Sequence, residues 1–121
     1  MDHFDFEKLD AFAVATEMVV RVDAIAQVLP AGRGYMRDQL RRAANSVPLN
    51  LAEGAGEFAP AEKARFYRIA RRSATEVAAQ LLVSARLNVV DDTDLRRVHQ
   101  LLHRLVSMLV RMVASVERRA A

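Results

Sequence analysis

Apolar residues recur along this chain at three- and four-residue steps in four separate stretches, and nowhere do they alternate with the two-residue period of a strand. The first stretch predicts a helix over about residues 7–29, with Leu9, Phe12, Ala15, Val19, Val22, Ala26 and Leu29 on one stripe; Pro30, Gly32 and Gly34 then break the pattern. A second helix is expected over about 36–55, buried through Met36, Leu40, Ala43, Val47 and Leu51 and ended by Gly54 and Gly56. Pro60 suits the first position of a third helix, over about 60–88, which buries Phe66, Ile69, Ala70, Val77, Leu81 and Leu87. Asp91, Asp92, Thr93 and Asp94 start a fourth helix, which runs from about 92 to 119 and ends on Arg118 and Arg119 at the negative end of its dipole. Short connections between long helices predict an all-α, up-down-up-down four-helix bundle, one domain over residues 1–121.

The fourth stretch is more apolar than a bundle helix requires. Leu95, Val98, Leu102, Leu105, Leu109, Met112 and Val116 step 3-4-3-4-3-4, the spacing of a seam. Leu101, Val106, Met108, Val110 and Val113 widen the apolar arc to roughly 200°, about twice a single core face. A monomer would leave part of that arc in water, so Leu105, Met108, Leu109 and Met112 are expected in a homo-oligomer interface.

The second stretch holds a proline where a helix interior is expected. Pro48 removes a backbone donor and crowds the carbonyl of Ala44, at a cost of roughly 3 kcal/mol in an ordinary helix. Asn45, Ser46 and Asn50 supply short polar groups that can satisfy what the proline frees, so the segment reads as a specified bend in the second helix. Asn50 borders the core arc of that helix, and Ser73 and Gln80 fall within the core arc of the third. Buried polar groups without partners cost about 1–3 kcal/mol each. A structural network of Ser46, Asn50, Glu53, Ser73, Glu76 and Gln80 across the two helices is the expectation. A catalytic pairing of Glu53 with Glu76 is the other reading of those residues, but no nucleophile, histidine or cofactor motif accompanies them.

These same stretches carry a family resemblance. Arg41-Arg42-Ala43 through Ser46-Val47-Pro48, Asn50-Leu51-Ala52-Glu53-Gly54 and, downstream, Phe66, Ile69, Ala70, Ser73, Glu76, Gln80 and Leu81 resemble the small bacterial "four helix bundle protein" family, first noted as reading frames in intervening sequences of 23S ribosomal RNA genes. Its best understood relatives are the accessory variability proteins of diversity-generating retroelements, pentameric barrels that bind nucleic acid and a reverse transcriptase. The resemblance therefore implies a pentamer, with RNA or DNA and a reverse transcriptase or other protein as partners.

Charge placement bears on that implication. Residues 1–30 hold six acids and two bases, whereas residues 31–121 hold sixteen bases and nine acids. Sixteen of the eighteen basic residues are arginine, the side chain suited to bidentate phosphate contacts. Arg65, Arg68 and Arg72 share a face of the third helix, and Arg37 and Arg41 a flank of the second, so these five are the candidate nucleic-acid contacts. A solvated face of local ion pairs is the plainer reading of the same residues.

Other chemistry is thinly represented. His99 and His103 have the four-residue spacing of two zinc ligands but lack a third ligand motif, and no Glu-x-x-His occurs. Gly54-Ala55-Gly56 lacks the spacing and the following Lys-Ser/Thr of a phosphate loop. The absence of cysteine excludes disulfides and thiolate metal sites. The acidic N-terminus and the lack of a spanning apolar run point to a cytoplasmic protein away from membranes. The expected function is thus that of a non-enzymatic, cofactor-free oligomer offering a basic surface to nucleic acid or to a nucleic-acid-bound protein, the alternative being a scaffold that binds protein only.

Overall fold

The computed structural model describes residues 3–120 and contains four long helices: α1 (Asp10–Gln27), α2 (Gly34–Ala55), α3 (Pro60–Arg86) and α4 (Asp92–Ala120). Each helix packs on two neighbours, α1 on α2 and α4, α3 on α2 and α4. The connecting contacts pair rising numbers on one helix with falling numbers on the next. Arg37 reaches Ala26 and Arg41 reaches Asp23, while Lys63 meets Gly54 and Ser73 meets Ser46.

The core is built from α1 residues Ala11, Ala15, Met18 and Val22, α2 residues Leu40, Val47 and Leu51, α3 residues Ala70, Val77 and Leu81, and the α4 seam. Alanine is frequent in it, and its small side chain lets helix axes approach closely while still burying apolar surface. Every seam residue of α4 is buried except the half-buried Leu95 and Met112, so the 3-4-3-4 spacing marks the face turned into the bundle.

Several boundaries move. The first helix begins at Asp10, behind a 3-10 turn over Asp5–Lys8 held by the Phe4 amide donating to the Glu7 carboxylate. It stops at Gln27, though Leu29 beyond its end remains buried. The third helix ends at Arg86 rather than 88. Asn88 takes the left-handed conformation, with φ of 60°. The Asn88 amide donates to the Ala85 carbonyl and the Val89 amide to that of Ser84, closing the helix with the paired bonds of a Schellman motif. Leu87 therefore lies past the helix and is 43% exposed, not part of the core.

Ala70, Val77 and Leu81 of the expected α3 stripe are buried, but at the N-terminal end of the helix the stripe differs. Tyr67 is buried at 4% exposure, whereas Phe66 and Ile69 are half-buried. The reason lies in α2, where Gly54 has no side chain and the Tyr67 ring lies against its backbone; a Cβ there would stand 2.6 Å from the ring. Helix α2 continues without interruption through Pro48, which is buried.

Candidate functional site

Two of the five arginines expected to contact phosphate turn out to connect α2 to α1. Arg37 donates from Nε to the Ala26 carbonyl (2.9 Å) and from Nη2 to the Leu29 carbonyl (2.8 Å), so its guanidinium caps the C-terminal end of α1. The Ala26 carbonyl belongs to the last turn of α1, which carries the negative end of the helix dipole, and Leu29 lies just beyond it, so an arginine is favoured at this place. Arg41 pairs with Asp23 of α1 at 2.8 Å. Both are thereby engaged within the bundle and stand apart from the arginines of α3.

On α3 the arginines diverge as well. Arg65 is held by Glu62, one turn earlier, at 2.6 Å, and its guanidinium lies 4.6 Å from the centre of the Phe66 ring. The hydrogen bond to Glu62 raises its already high pKa, so it is a permanent cation. Arg68 reaches across to Glu117 of α4 at 3.2 Å. Exposed pairs of this kind contribute about 0.2–1 kcal/mol and exchange readily with another anion. Arg72 is exposed and has no ion-pair or hydrogen-bond partner among the described residues.

Arg68 and Arg72 meet a third arginine, Arg71, along a groove of about 630 Å³ between α3 and α4. Thr75, Glu76, Ala79 and Val106 complete its lining. Arg71 was legible in the sequence at one residue from Arg72, but a helical wheel sets it about 100° from Arg72 and about 60° from Arg68. The groove collects both because it is wide and follows the flank of α3 toward α4.

The polar network forms in part. Ser73 of α3 donates through Oγ to Ser46 Oγ of α2 at 2.8 Å, and Asn50 Nδ2 donates to the Ser46 carbonyl (2.8 Å) and to Ser46 Oγ (3.0 Å). Ser46, Asn50 and Ser73 thus satisfy one another across the α2/α3 packing, close to Pro48. Glu53 and Glu76 are exposed and stand outside it. Gln80 bonds Glu76, its neighbour one turn earlier, at 3.4 Å, and its Oε1 is buried without a partner among the described residues. Sequence spacing placed Gln80 on the right arc but not at the level of the serines, since it lies two turns along α3 from Ser73.

Lys63 is a residue that sequence reading passed over. Its Nζ donates to the carbonyls of Gly54 (2.7 Å) and Ala55 (3.2 Å), closing the C-terminal end of α2, and lies 5.8 Å from the Tyr67 ring centre. Burial, with the nearby positive charge of Arg119, lowers its pKa. Burial likewise raises that of the Tyr67 phenol. Only a lysine in a chain that otherwise favours arginine hinted at this role.

His99 and His103 are both exposed on α4, and among the described residues no group of three His, Cys, Asp or Glu side chains is gathered to hold a metal ion. No helix among those residues is long and apolar enough to cross a membrane.

The α2/α3 packing of Ser46, Gly54, Tyr67 and Ser73 lies within one matched span. The profile of the 23S rRNA-intervening sequence proteins matches residues 7–111, which takes in most of all four helices. The chain belongs to that family. No curated protein matches the sequence. Within the family's matched span fall the serine–asparagine cluster, the capping lysine and the α3 groove, whereas Glu117, the partner of Arg68, lies beyond it.

Proposed function

We propose that the protein is a non-enzymatic, self-assembling four-helix bundle whose α3 groove takes the phosphate backbone of RNA or DNA. The observation that carries the reading is the convergence of Arg68, Arg71 and Arg72 on one open groove, two of them without acidic partners among the described residues. Arginine presents planar donors that match phosphate oxygens, and a groove with no base-reading element gives affinity without sequence preference. The family's description, which refers to a 23S rRNA intervening sequence, makes RNA the first ligand to test.

Fluorescence anisotropy with structured RNA and duplex DNA across a salt series tests this directly. Binding should weaken steeply as salt rises, and Arg71→Glu with Arg72→Glu should lower the salt slope by about two, one for each phosphate that is no longer neutralised. Affinity at low salt should fall about tenfold or more. No binding at tens of micromolar, about the weak end of nonspecific association, would favour the protein-only scaffold.

Assembly belongs to the same proposal, with a pentamer as the form implied by the family resemblance. A ring repeats each groove, so weak phosphate contacts add through multivalency. Leu105 and Leu109 are 0% exposed inside the subunit's own core and Met108 and Met112 are half-buried, so on α4 the large apolar side chain most open to another subunit is Val110. Sedimentation equilibrium at micromolar concentration should give a mass above the monomer, reduced by Val110→Asp, which would bury an unpaired charge. A monomeric wild-type protein would remove assembly from the reading.

A further inference from the structure

The seam between α1 and α4 is the least closely packed of the four, and cavities of about 440, 430 and 210 Å³ lie along it from one end of the bundle to the other. Its walls are patterned. On α4, Arg97, Arg104, Arg111 and Arg118 follow one another at seven-residue intervals, all exposed and none in an ion pair or side-chain hydrogen bond among the described residues. Arg97 and Arg104 line the middle cavity and Arg111, with Arg119, the one of 440 Å³. On α1, Asp10 and Glu17 stand in the same two cavities, seven residues apart, and Arg21 lies beside Glu17 and lines the third cavity. Between the walls lie Leu101 and Met108, half-buried and also seven apart.

Three rows with one common repeat identify the shape of the occupant. Seven residues of helix advance about 10.5 Å, so each row presents its groups at that interval along a straight line. Another α-helix with a heptad pattern has the same repeat and stays in register along the groove. Phosphates on a duplex strand recur about every 3.4 Å along the axis and wind away from a straight ladder. The acidic wall decides further, because a polyanion laid along the α4 arginines would also meet Asp10 and Glu17. Glu17 is partly neutralised by Arg21 at 3.3 Å, but Asp10 makes no ion pair among the described residues.

We infer that the α1/α4 groove is a docking site for an amphipathic helix of a partner protein, with an apolar stripe on Leu101 and Met108, acids toward α4 and bases toward α1. The site lies on a different face from the α3 groove and stands independently of nucleic-acid binding. It follows the same physics as a coiled coil, where flanking charges select the partner and its direction while the apolar row supplies the burial.

The test uses the full chain and a labelled synthetic helix of four heptads, with leucine and isoleucine on its apolar stripe, glutamate along one flank and lysine along the other. Fluorescence anisotropy should show saturable binding below about 100 μM, the weak range for a transient helix contact. Arg104→Glu with Arg111→Glu should weaken it at least tenfold, whereas Arg71→Glu with Arg72→Glu should leave it unchanged. A peptide with lysine on both flanks should bind poorly to the wild type and better to the Arg104/Arg111 variant. Because both altered residues are exposed, the thermal transition of that variant should stay within a few degrees of wild type. Equal binding by wild type and variant overturns the inference, as does no binding at all. Loss of RNA affinity in the Arg104/Arg111 variant without loss of peptide affinity would assign the arginine row to nucleic acid instead. A drop of that variant to monomer, with no peptide binding by the wild type, would assign the groove to a second copy of the chain.

Discussion

Leu105→Ala is expected to destabilise the subunit by about 3 kcal/mol, within the 2–5 kcal/mol typical of leucine truncation in a filled core. Leu105 is 0% exposed, as are Val22, Val47 and Val77 on the other three helices, so removing its methyl groups leaves a void that the rigid helices cannot close. At this chain length the thermal midpoint should fall by about 10 °C. The effect should be the same at low and high protein concentration, because the side chain is enclosed by its own subunit. Were Leu105 an interface residue, dilution would enlarge the effect and sedimentation would show dissociation before unfolding. Differential scanning calorimetry at two concentrations separates the outcomes.

A substitution at Gly54 should also destabilise, for the opposite reason, excess volume. A Cβ built there lies 2.6 Å from Tyr67 Cε1, 2.8 Å from Tyr67 Cδ1 and 3.2 Å from Phe66 Cβ. The ring is 4% exposed and cannot swing into solvent, so α2 and α3 must separate. Overpacking of this kind costs about 1–3 kcal/mol, offset by the roughly 1 kcal/mol that alanine gains over glycine inside a helix. Gly54→Ala should therefore be destabilising by up to about 2 kcal/mol, and Gly54→Val by more, since a β-branched chain adds volume and loses helix propensity. Gly34→Ala is the control. The nearest atom to its Cβ is Arg37 Nη1 at 4.0 Å, so that change should be neutral or stabilising in a urea melt. Equal effects at the two glycines would contradict the close approach of α2 and α3.

The separation of α2 and α3 also bears on the hydroxyl cluster, because Ser46 and Ser73 touch directly at 2.8 Å. Ser46 and Gly54 of α2 thus lie directly against Ser73 and Tyr67 of α3, the helix whose other flank carries the arginines of the groove.

Local periodicity determined the four helices, their order and most of their core stripes. Apolar spacing is a property of each segment by itself, and glycine, proline and the Asp91–Asp94 run mark segment ends through backbone geometry alone. A polar link between α2 and α3 through Ser73 was legible too, and it runs through Ser46, which Asn50 joins on its own helix, because short polar side chains on facing core arcs have few other partners. Tertiary structure alone decided the rest. Long side chains reach several ångströms from their backbone positions, so Arg37 ends on the carbonyls of α1, Arg68 on Glu117 and Lys63 on the end of α2, none of which a helical wheel can show. The burial of Tyr67 rather than Phe66 is accommodated by a glycine thirteen residues away in another helix. Likewise the width of the α4 apolar arc was visible from its spacing, but whether Leu105 and Leu109 met their own subunit or another depended on how α1 and α3 closed around them. Pattern specifies which face of a helix is buried; only packing specifies against what.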